Sequence, residues 1–156
     1  MSSILKNNNP IIKSLKKSYK DKYNKKLFKI FKKKSDYRII GIGGSILGAQ
    51  AIYNFLKNKI KKNFYFVDNL KPKNKKLNKK PYNNIIISKS GNTLETIVNS
   101  NLLIKKNDKN LFITENKNSY LKILAKELKS EVVDHNDYIG GRYSVLSEVG
   151  MLPSEL

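Results

Sequence analysis

A hydroxyl-rich segment near the middle of the chain has the composition of a phosphate-binding turn. It reads Ser88-Lys89-Ser90-Gly91-Asn92-Thr93-Leu94-Glu95-Thr96. The segment stands between a β-branched apolar run and a stretch with helical spacing, where free amide groups and the positive end of a helix dipole attract anions. Capping of that helix by Ser90 or Thr93, with Glu95 as a further partner, is the alternative. The density of hydroxyl groups favours the phosphate cradle.

A second turn is rich in glycine. It reads Gly41-Ile42-Gly43-Gly44-Ser45-Ile46-Leu47-Gly48 and follows another apolar run. Glycine allows a sharp turn and a close approach of a ligand to the amide groups. The dinucleotide pattern G-x-G-x-x-G is not met, because Ile46 occupies the place of the third glycine, and no P-loop spacing occurs in the chain. Asp68, after the next apolar run, keeps a nucleotide interpretation open, but we predict no cofactor.

Apolar runs and stretches with helical spacing alternate from Asp36 onwards. The runs predict strands at residues 38–42, 64–67, 84–88, 111–114 and 131–133. The helical stretches cover residues 46–59, 93–104 and 121–128, and one side of the second carries Ile97, Val98, Asn101 and Leu102. This alternation predicts an α/β fold, a three-layer, doubly wound parallel sheet of about five strands. Ligands of such sheets bind outside the carboxyl ends of the strands, so both turns should lie at one edge.

Residues 1–34 form a basic lead-in to this domain, which we assign to residues 35–156. Two sets of apolar residues in the lead-in recur at helical spacing, Ile11, Ile12, Leu15 and Tyr19, and then Leu27, Phe28, Ile30 and Phe31. They predict short amphipathic helices. A membrane-surface helix is the alternative, but the apolar faces are short. Residues 70–82, which are rich in Lys and Asn and contain two prolines, predict a surface loop.

Charge and composition restrict the possible partners. The formal net charge is +20, yet the lysines are spread along the chain and the only arginines are Arg38 and Arg142. Because proteins that read bases use the planar fork of arginine, we predict a solvated basic surface and no specific nucleic-acid partner. The absence of cysteine excludes disulfides, cysteine–zinc sites and thiol catalysis, and we predict no metal. No membrane-spanning run or signal peptide is seen, so we predict no membrane partner and a cytoplasmic location.

A third segment makes a family resemblance specific. It reads Gly140-Gly141-Arg142-Tyr143-Ser144-Val145-Leu146-Ser147-Glu148-Val149-Gly150. This segment resembles the G-G-R-[YF]-S-x-x-S-x-x-G signature of the phosphoglucose isomerase family, and the glycine-rich turn resembles that family's G-I-G-G-S-x-L-G turn. The hydroxyl-rich S-x-S-G-x-T-x-E-T turn is similar to that of the sugar isomerase (SIS) domain. The three segments occur in the family's order from about Arg38 to the end of the chain, and the lead-in resembles no family.

The resemblance implies a binding site for a sugar phosphate and the interconversion of glucose 6-phosphate and fructose 6-phosphate. The residues that it places on the substrate phosphate are Ser88, Lys89, Ser90 and Thr93. Gly91 and Asn92 of the same turn are included in the substrate- and phosphate-binding set. Gly44 and Ser45 would line the sugar, and Gly141 would lie beside the reacting carbons. Arg142 would be catalytic, because a fixed guanidinium can stabilise the negative oxygen of an enediolate. An ion pair at the surface or at a helix end is the alternative for Arg142.

The resemblance also implies what this chain lacks. The proton-transferring glutamate, the ring-opening histidine and a late lysine of the family lie beyond the position of Leu156. His135 is the single histidine, matches none of them, and is expected to be partly exposed near the end of the last strand. The chain is therefore interpreted as an N-terminal part of the enzyme, inactive alone and a homodimer at full length. A dual glucose/mannose-6-phosphate isomerase and a stand-alone SIS-domain protein that senses a phosphosugar are alternatives.

Overall fold

Five parallel strands form one sheet at the centre of the molecule. The computed structural model describes residues 10–13, 16–20, 23–24, 26–31, 36–70 and 81–156. The strands are β1 Tyr37–Ile40, β2 Phe64–Val67, β3 Asn83–Ile87, β4 Lys109–Thr114 and β5 Glu131–Asp134. The helices are α1 Pro10–Lys13, α2 Lys26–Phe31, α3 Gly44–Leu56, α4 Leu94–Leu103, α5 Tyr120–Glu127 and α6 Glu148–Glu155, with a 3₁₀ helix at Gly141–Leu146. The predicted α/β fold with a parallel sheet is confirmed.

The strand order places a topological switch point at the neighbouring strands β1 and β3. The sheet runs β2-β1-β3-β4-β5, so the chain moves to one side of β1 to form β2 and then crosses to the other side to form β3, β4 and β5. The helices that follow β1 and β3 pack on opposite faces of the sheet. In doubly wound sheets this switch point is where ligands bind. The glycine-rich turn follows β1 and the serine-rich turn follows β3, so both lie at the carboxyl end of the switch point.

Apolar side chains of the strands fill both faces of the sheet. Successive residues of a strand point to opposite faces, so Ile39 and Ile40 belong to different core clusters. Helices α3 and α6 cover the first face, and α4 and α5 cover the second. Because helices cover both faces, the strands are continuous apolar runs instead of alternating ones.

The predicted strands and helices of the domain are all present, with their ends shifted by a few residues, but the buried side of α4 matches the apolar side expected only in part. Leu102 is 60% exposed, whereas the buried residues of the helix are Thr96, Asn99 and Ser100. The Ser100 hydroxyl donates to the carbonyl of Thr96 at 2.7 Å, which satisfies its hydrogen-bonding need inside the protein. Ile97, on the expected side, does pack on the core, so helical spacing alone indicated only part of the face that α4 buries.

The described part of the lead-in packs on the domain. Helix α2 covers the second stretch of helical spacing, whereas α1 covers only Ile11 and Ile12 of the first and Tyr19 lies outside any helix. Tyr23 and Phe31 are buried in the core. Leu15, the boundary at residues 34–35 and residues 71–80 of the expected surface loop lie outside the described residues. Among the helices described here, none combines the length and apolar character needed to span a membrane.

Candidate functional site

The serine-rich turn gathers three hydroxyl groups at the start of α4. The Ser88 hydroxyl lies 2.9 Å from that of Thr93, and the Ser90 hydroxyl lies 3.5 Å from the same atom. Ser88 is buried, whereas Ser90 is exposed. Thr93 occupies the N-cap position, but no side-chain hydrogen bond caps α4, and the Ser90 oxygen accepts from the Asn92 amide instead. The capping alternative is therefore wrong for both residues, and the helix start stays open to an anion.

Gly91 and Asn92 connect the turn to helix α5. Gly91 has a φ of +66°, and a Cβ there would lie 2.2 Å from the Ser119 hydroxyl, so no other residue fits without strain. The Asn92 side chain accepts a hydrogen bond from the Tyr120 amide at 2.9 Å, and the Gly91 carbonyl accepts from Leu121. These two residues shape the turn through the start of α5, while the hydroxyl groups remain beside α4.

The side chain of Lys89 is held by two partners. Its ammonium forms an ion pair with Glu115 at 3.2 Å and donates to the carbonyl of Asp137 at 2.6 Å. Glu115 directly follows β4, and Asp137 lies in the loop after β5. Glu115 was missed by sequence reasoning, although its place immediately after a parallel strand is a signal that could have identified it.

The glycine-rich turn lies beside the serine-rich turn at the switch point. Gly41 directly follows β1, and a Cβ at this position would lie 2.9 Å from the carbonyl oxygen of Ile87, the last residue of β3. The same point lies 3.3 Å from the Cβ of Ser45. The close approach of these backbones places Ser45 next to the end of β3, where Ser88 begins the second turn.

The Gly-Gly-Arg segment packs directly on the glycine-rich turn. A Cβ at Gly44 would lie 2.0 Å from the carbonyl oxygen of Gly141 and 2.9 Å from the amide nitrogen of Arg142. The Ser144 hydroxyl donates a hydrogen bond to the carbonyl oxygen of Gly44 at 3.2 Å. A Cβ at Gly48, one turn further along α3, would lie 2.6 Å from a methyl group of Val145. Glycine at both positions of α3 therefore lets the 3₁₀ helix approach, and all three sequence motifs meet at one edge of the sheet.

Arg142 is exposed at this meeting point. Its guanidinium makes no hydrogen bond or ion pair within the described part of the chain. The alternative of a surface or capping ion pair therefore finds no partner among those residues. Gly141 is equally open, because a Cβ there would meet nothing within 4 Å. Two open positions next to each other leave room for a ligand that both can reach.

His135 is buried, and the expectation of partial exposure is wrong. It is 3% exposed, directly after β5, and its Nδ1 lies 2.7 Å from the carbonyl oxygen of Asn136. Burial lowers the pKa of His135 below its ordinary value, although the hydrogen bond to Asn136 and the charge of Glu148 oppose the shift. A neutral, buried imidazole with a backbone partner serves packing at this position. The charged groups that act on it are Glu148, Lys89 and Glu115.

A polar network between the lead-in and α6 was also missed. The Tyr19 hydroxyl donates to Glu148 at 3.1 Å, and the Asn136 amide donates to both the Tyr19 oxygen, at 2.9 Å, and Glu148, at 3.3 Å. Burial and the negative charge of Glu148 raise the pKa of Tyr19 above its ordinary value. No local signal could have identified this contact, because 129 positions separate Tyr19 from Glu148.

Comparison with known proteins places nearly the whole chain in one family. A family model for phosphoglucose isomerase matches residues 11–156. The match begins inside the lead-in, so the interpretation that the resemblance starts near Arg38 was too narrow. The fold also resembles that of the tagatose-6-phosphate ketose/aldose isomerase of Escherichia coli, with a TM-score of 0.64 over 81% of this chain and 38% of that one. At 18% identity this likeness shows the fold alone.

Curated relatives agree with the family model. The glucose-6-phosphate isomerase of Acholeplasma laidlawii is 37% identical over 154 residues, which covers 81% of this chain and 36% of the relative. The glucose-6-phosphate isomerase of Methanocaldococcus jannaschii is 38% identical over 127 residues, which covers 74% of this chain and 31% of the relative. The chain thus spans about a third of the length of these relatives. On the strength of the match over residues 11–156, the chain belongs to the phosphoglucose isomerase family.

Proposed function

We propose that this chain forms the phosphosugar-binding part of an isomerase that interconverts glucose 6-phosphate and fructose 6-phosphate. The observation that carries the proposal is the group of hydroxyls from Ser88, Ser90 and Thr93 at an uncapped helix start beside the switch point of the sheet. Phosphate oxygens accept hydrogen bonds from hydroxyl groups and from the first amides of a helix. The names of the two curated relatives support this choice of sugar.

In this proposal the other two turns hold the sugar. Gly44 and Ser45 line it from the glycine-rich turn, and Gly141 and Arg142 lie beside the carbons between which the carbonyl moves. This movement passes through an enediolate, whose negative oxygen a fixed guanidinium stabilises. Arg142 suits this role because it has no partner among the described residues to release first.

The proposal includes neither a cofactor nor a metal, because proton movement between adjacent carbons requires neither. Within the described ranges, no group of three or more histidine or acidic side chains could hold a metal ion. We propose a cytoplasmic enzyme that is a homodimer at full length. We propose no specific nucleic-acid partner. The lysines are distributed along the chain, and the sequence contains only two arginines, Arg38 and Arg142.

Calorimetry tests the phosphate site. Replacing Ser88, Ser90 and Thr93 together by Ala should weaken glucose 6-phosphate binding by several kcal/mol, since each hydrogen bond to a charged group contributes about 1.5–3 kcal/mol. The matched control is Ser130→Ala with Ser154→Ala, which removes exposed hydroxyls that bond only to nearby carbonyls. Unphosphorylated glucose should bind far more weakly to the wild-type chain. Unchanged affinity in a folded triple variant would contradict the proposal.

We expect residues 1–156 to bind the sugar phosphate without isomerising it. General acid–base catalysis contributes about 10²–10⁴-fold, and the resemblance supplies no matching base in this chain. The single histidine, His135, is buried. If this chain did contain a base, the first candidate would be Glu95, the carboxylate in the first turn of α4. A coupled assay should therefore show no rate above background. Robust turnover that Glu95→Gln abolishes would instead place the base in this chain.

A further inference from the structure

Ionisable side chains follow three neighbouring strands at the carboxyl edge of the sheet. Lys89 comes shortly after β3, Glu115 directly after β4 and His135 directly after β5. Backbone hydrogen bonds connect these positions, since the Glu115 amide donates to the Lys89 carbonyl at 3.0 Å and the His135 amide donates to the Thr114 carbonyl at 2.8 Å. The group therefore lies on the β4 and β5 side of the serine-rich turn, opposite to the glycine-rich turn on the β1 side.

Within this group, Lys89 connects two segments of the candidate site. It belongs to the serine-rich turn, and its ammonium donates to the carbonyl of Asp137 at 2.6 Å. Asp137 lies in the loop that leads from β5 to the Gly140-Gly141-Arg142 turn. One side chain thus links the proposed phosphate site to the segment that carries Arg142.

Glu115 keeps this ammonium in place. The Glu115 side chain is 10% exposed, and one carboxylate oxygen pairs with Lys89 while the other pairs with Lys117. Burial by itself raises the pKa of Glu115, but the hydrogen bonds from Lys117 and Lys89 lower it below its ordinary value. The carboxylate is therefore charged at neutral pH. Moving Lys89 to a phosphate would leave this largely buried charge with an exposed partner only, which is unfavourable.

Lys117 can be compared with Lys89, because both lysines form an ion pair with Glu115. It contacts the same carboxylate, at 2.9 Å, but its side chain is 69% exposed, compared with 29% for Lys89. In the part of the chain that the structure describes, no hydrogen bond joins Lys117 to the loop after β5. The charge of Asp137 also acts on Lys117. Because exposed ion pairs contribute little, Lys117 connects the two turns far more weakly than Lys89 does.

We infer that Lys89 is a positioning residue: its ammonium sets the spacing between the serine-rich turn and the Gly-Gly-Arg turn and does not bind the substrate phosphate. The inference rests on the proposed function, in which a hexose phosphate reaches both turns at once, with its phosphate at one and its reacting carbons at the other. Small errors in that spacing weaken binding and slow the reaction. The inference also changes the role that the family resemblance implies for the Lys89 side chain.

Calorimetry with glucose 6-phosphate at low salt distinguishes a positioning role of Lys89 from a phosphate-binding role. The two roles predict opposite changes in affinity for Glu115→Gln. If Lys89 positions the turns, Glu115→Gln weakens binding by about 5- to 10-fold, as Lys89→Met does, and the double variant is no weaker than either single variant. If Lys89 is a phosphate ligand, Glu115→Gln releases the ammonium and strengthens binding, which would overturn the inference. Lys117→Met removes the same charge as Lys89→Met, and its affinity should stay within about twofold of wild type.

Hydrogen exchange on the free protein tests the same link without a ligand. The amides of Ile139 and Tyr143 donate to the carbonyls of Asn136 and Gly140 in the segment that Lys89 holds. Both should exchange about 10-fold faster in Lys89→Met, while Lys89→Arg and Lys117→Met stay close to wild type. Equal exchange in Lys89→Met and Lys117→Met would overturn the inference. If the wild-type chain bound no glucose 6-phosphate, the proposed function would fail, and this measurement would still decide the role of Lys89.

Discussion

The two arginines of the chain lie at opposite ends of the sheet in opposite surroundings. Arg38, in β1, is 4% exposed and donates to Asn84 at 2.9 Å, to the Leu103 carbonyl at 2.8 Å and to Asp108 at 3.0 Å. Its guanidinium also lies 4.6 Å from the centre of the Tyr82 ring. Arg142 is exposed at the carboxyl end and has no partner within the described residues.

This difference separates a charge that stabilises the fold from a charge available to a ligand. A buried ion must be compensated by the protein itself, which explains why Arg38 and Asp108 share a closed network with Asn84. The catalytic role that we propose for Arg142 requires a guanidinium that no protein group compensates before the substrate arrives, and Arg142 has no partner among the described residues.

The largest expected effect is the loss of Arg38. Arg38→Met leaves the Asp108 carboxylate, whose side chain is fully buried, without its charged partner. Breaking a buried pair from one side costs about 3–5 kcal/mol, so urea unfolding at neutral pH should show a loss of that size. Arg142→Met is the matched control and should change the free energy of unfolding by less than about 0.5 kcal/mol. Similar losses in both variants would remove the distinction between the two arginines.

The next effect concerns turnover. We propose a fusion of this chain to the part of the Acholeplasma laidlawii relative that it does not cover. In that protein Arg142→Lys should keep the fold and lower kcat on the order of 10²-fold, with a smaller change in KM, because lysine keeps the charge but not the planar fork. A fusion that binds glucose 6-phosphate but never isomerises it would favour the stand-alone phosphosugar sensor.

The close approach of the glycine-rich turn and the Gly-Gly-Arg segment is tested by a further pair of variants. Gly44→Ala places a Cβ against the backbone of Gly141, whereas Gly141→Ala meets no atom within 4 Å. Overpacking costs about 1–3 kcal/mol, so Gly44→Ala should lower the free energy of unfolding by that amount, and Gly141→Ala should leave it nearly unchanged. Thermal unfolding of both variants measures the difference. Equal stability would mean that the two turns do not pack as described.

The smallest effect is a pH dependence from His135. Because its pKa is lowered in the folded protein, the unfolded chain takes up a proton first as the pH falls through the ordinary value of 6.5. The stability that neutral His135 contributes is therefore present above pH 6.5 and is lost as the pH falls towards the lowered pKa. Unfolding measured across this range should show a smaller slope in His135→Gln. If the free energy of unfolding changed equally with pH in both proteins, groups other than His135 would be responsible for the pH dependence.

Local sequence patterns were enough to predict the sheet and its two flanking turns. β-branched runs that alternate with helical spacing allow few arrangements other than a parallel sheet covered on both faces. The glycines and hydroxyls directly after β1 and β3 then had to lie at one edge, because parallel strands all end on the same side. The alternation did not specify which side of α4 is buried. In the structure Leu102 is exposed and Asn99 is buried, although their polarity suggests the reverse.

The sequence by itself thus determined the fold class, the order of the elements and the positions of the glycine-rich and serine-rich turns, since these follow from periodicity and turn chemistry. The Gly-Gly-Arg segment was identified through its resemblance to a family signature. Tertiary structure decided which charged side chains have a partner within the protein. Arg38 and Arg142 have the same side chain, yet only the packing of distant segments supplies a partner to the first and leaves the second open within the described residues. Lys89, Glu115 and His135 are likewise brought together by contacts across neighbouring strands. Such long-range contacts depend on how elements pack, which no local spacing contains.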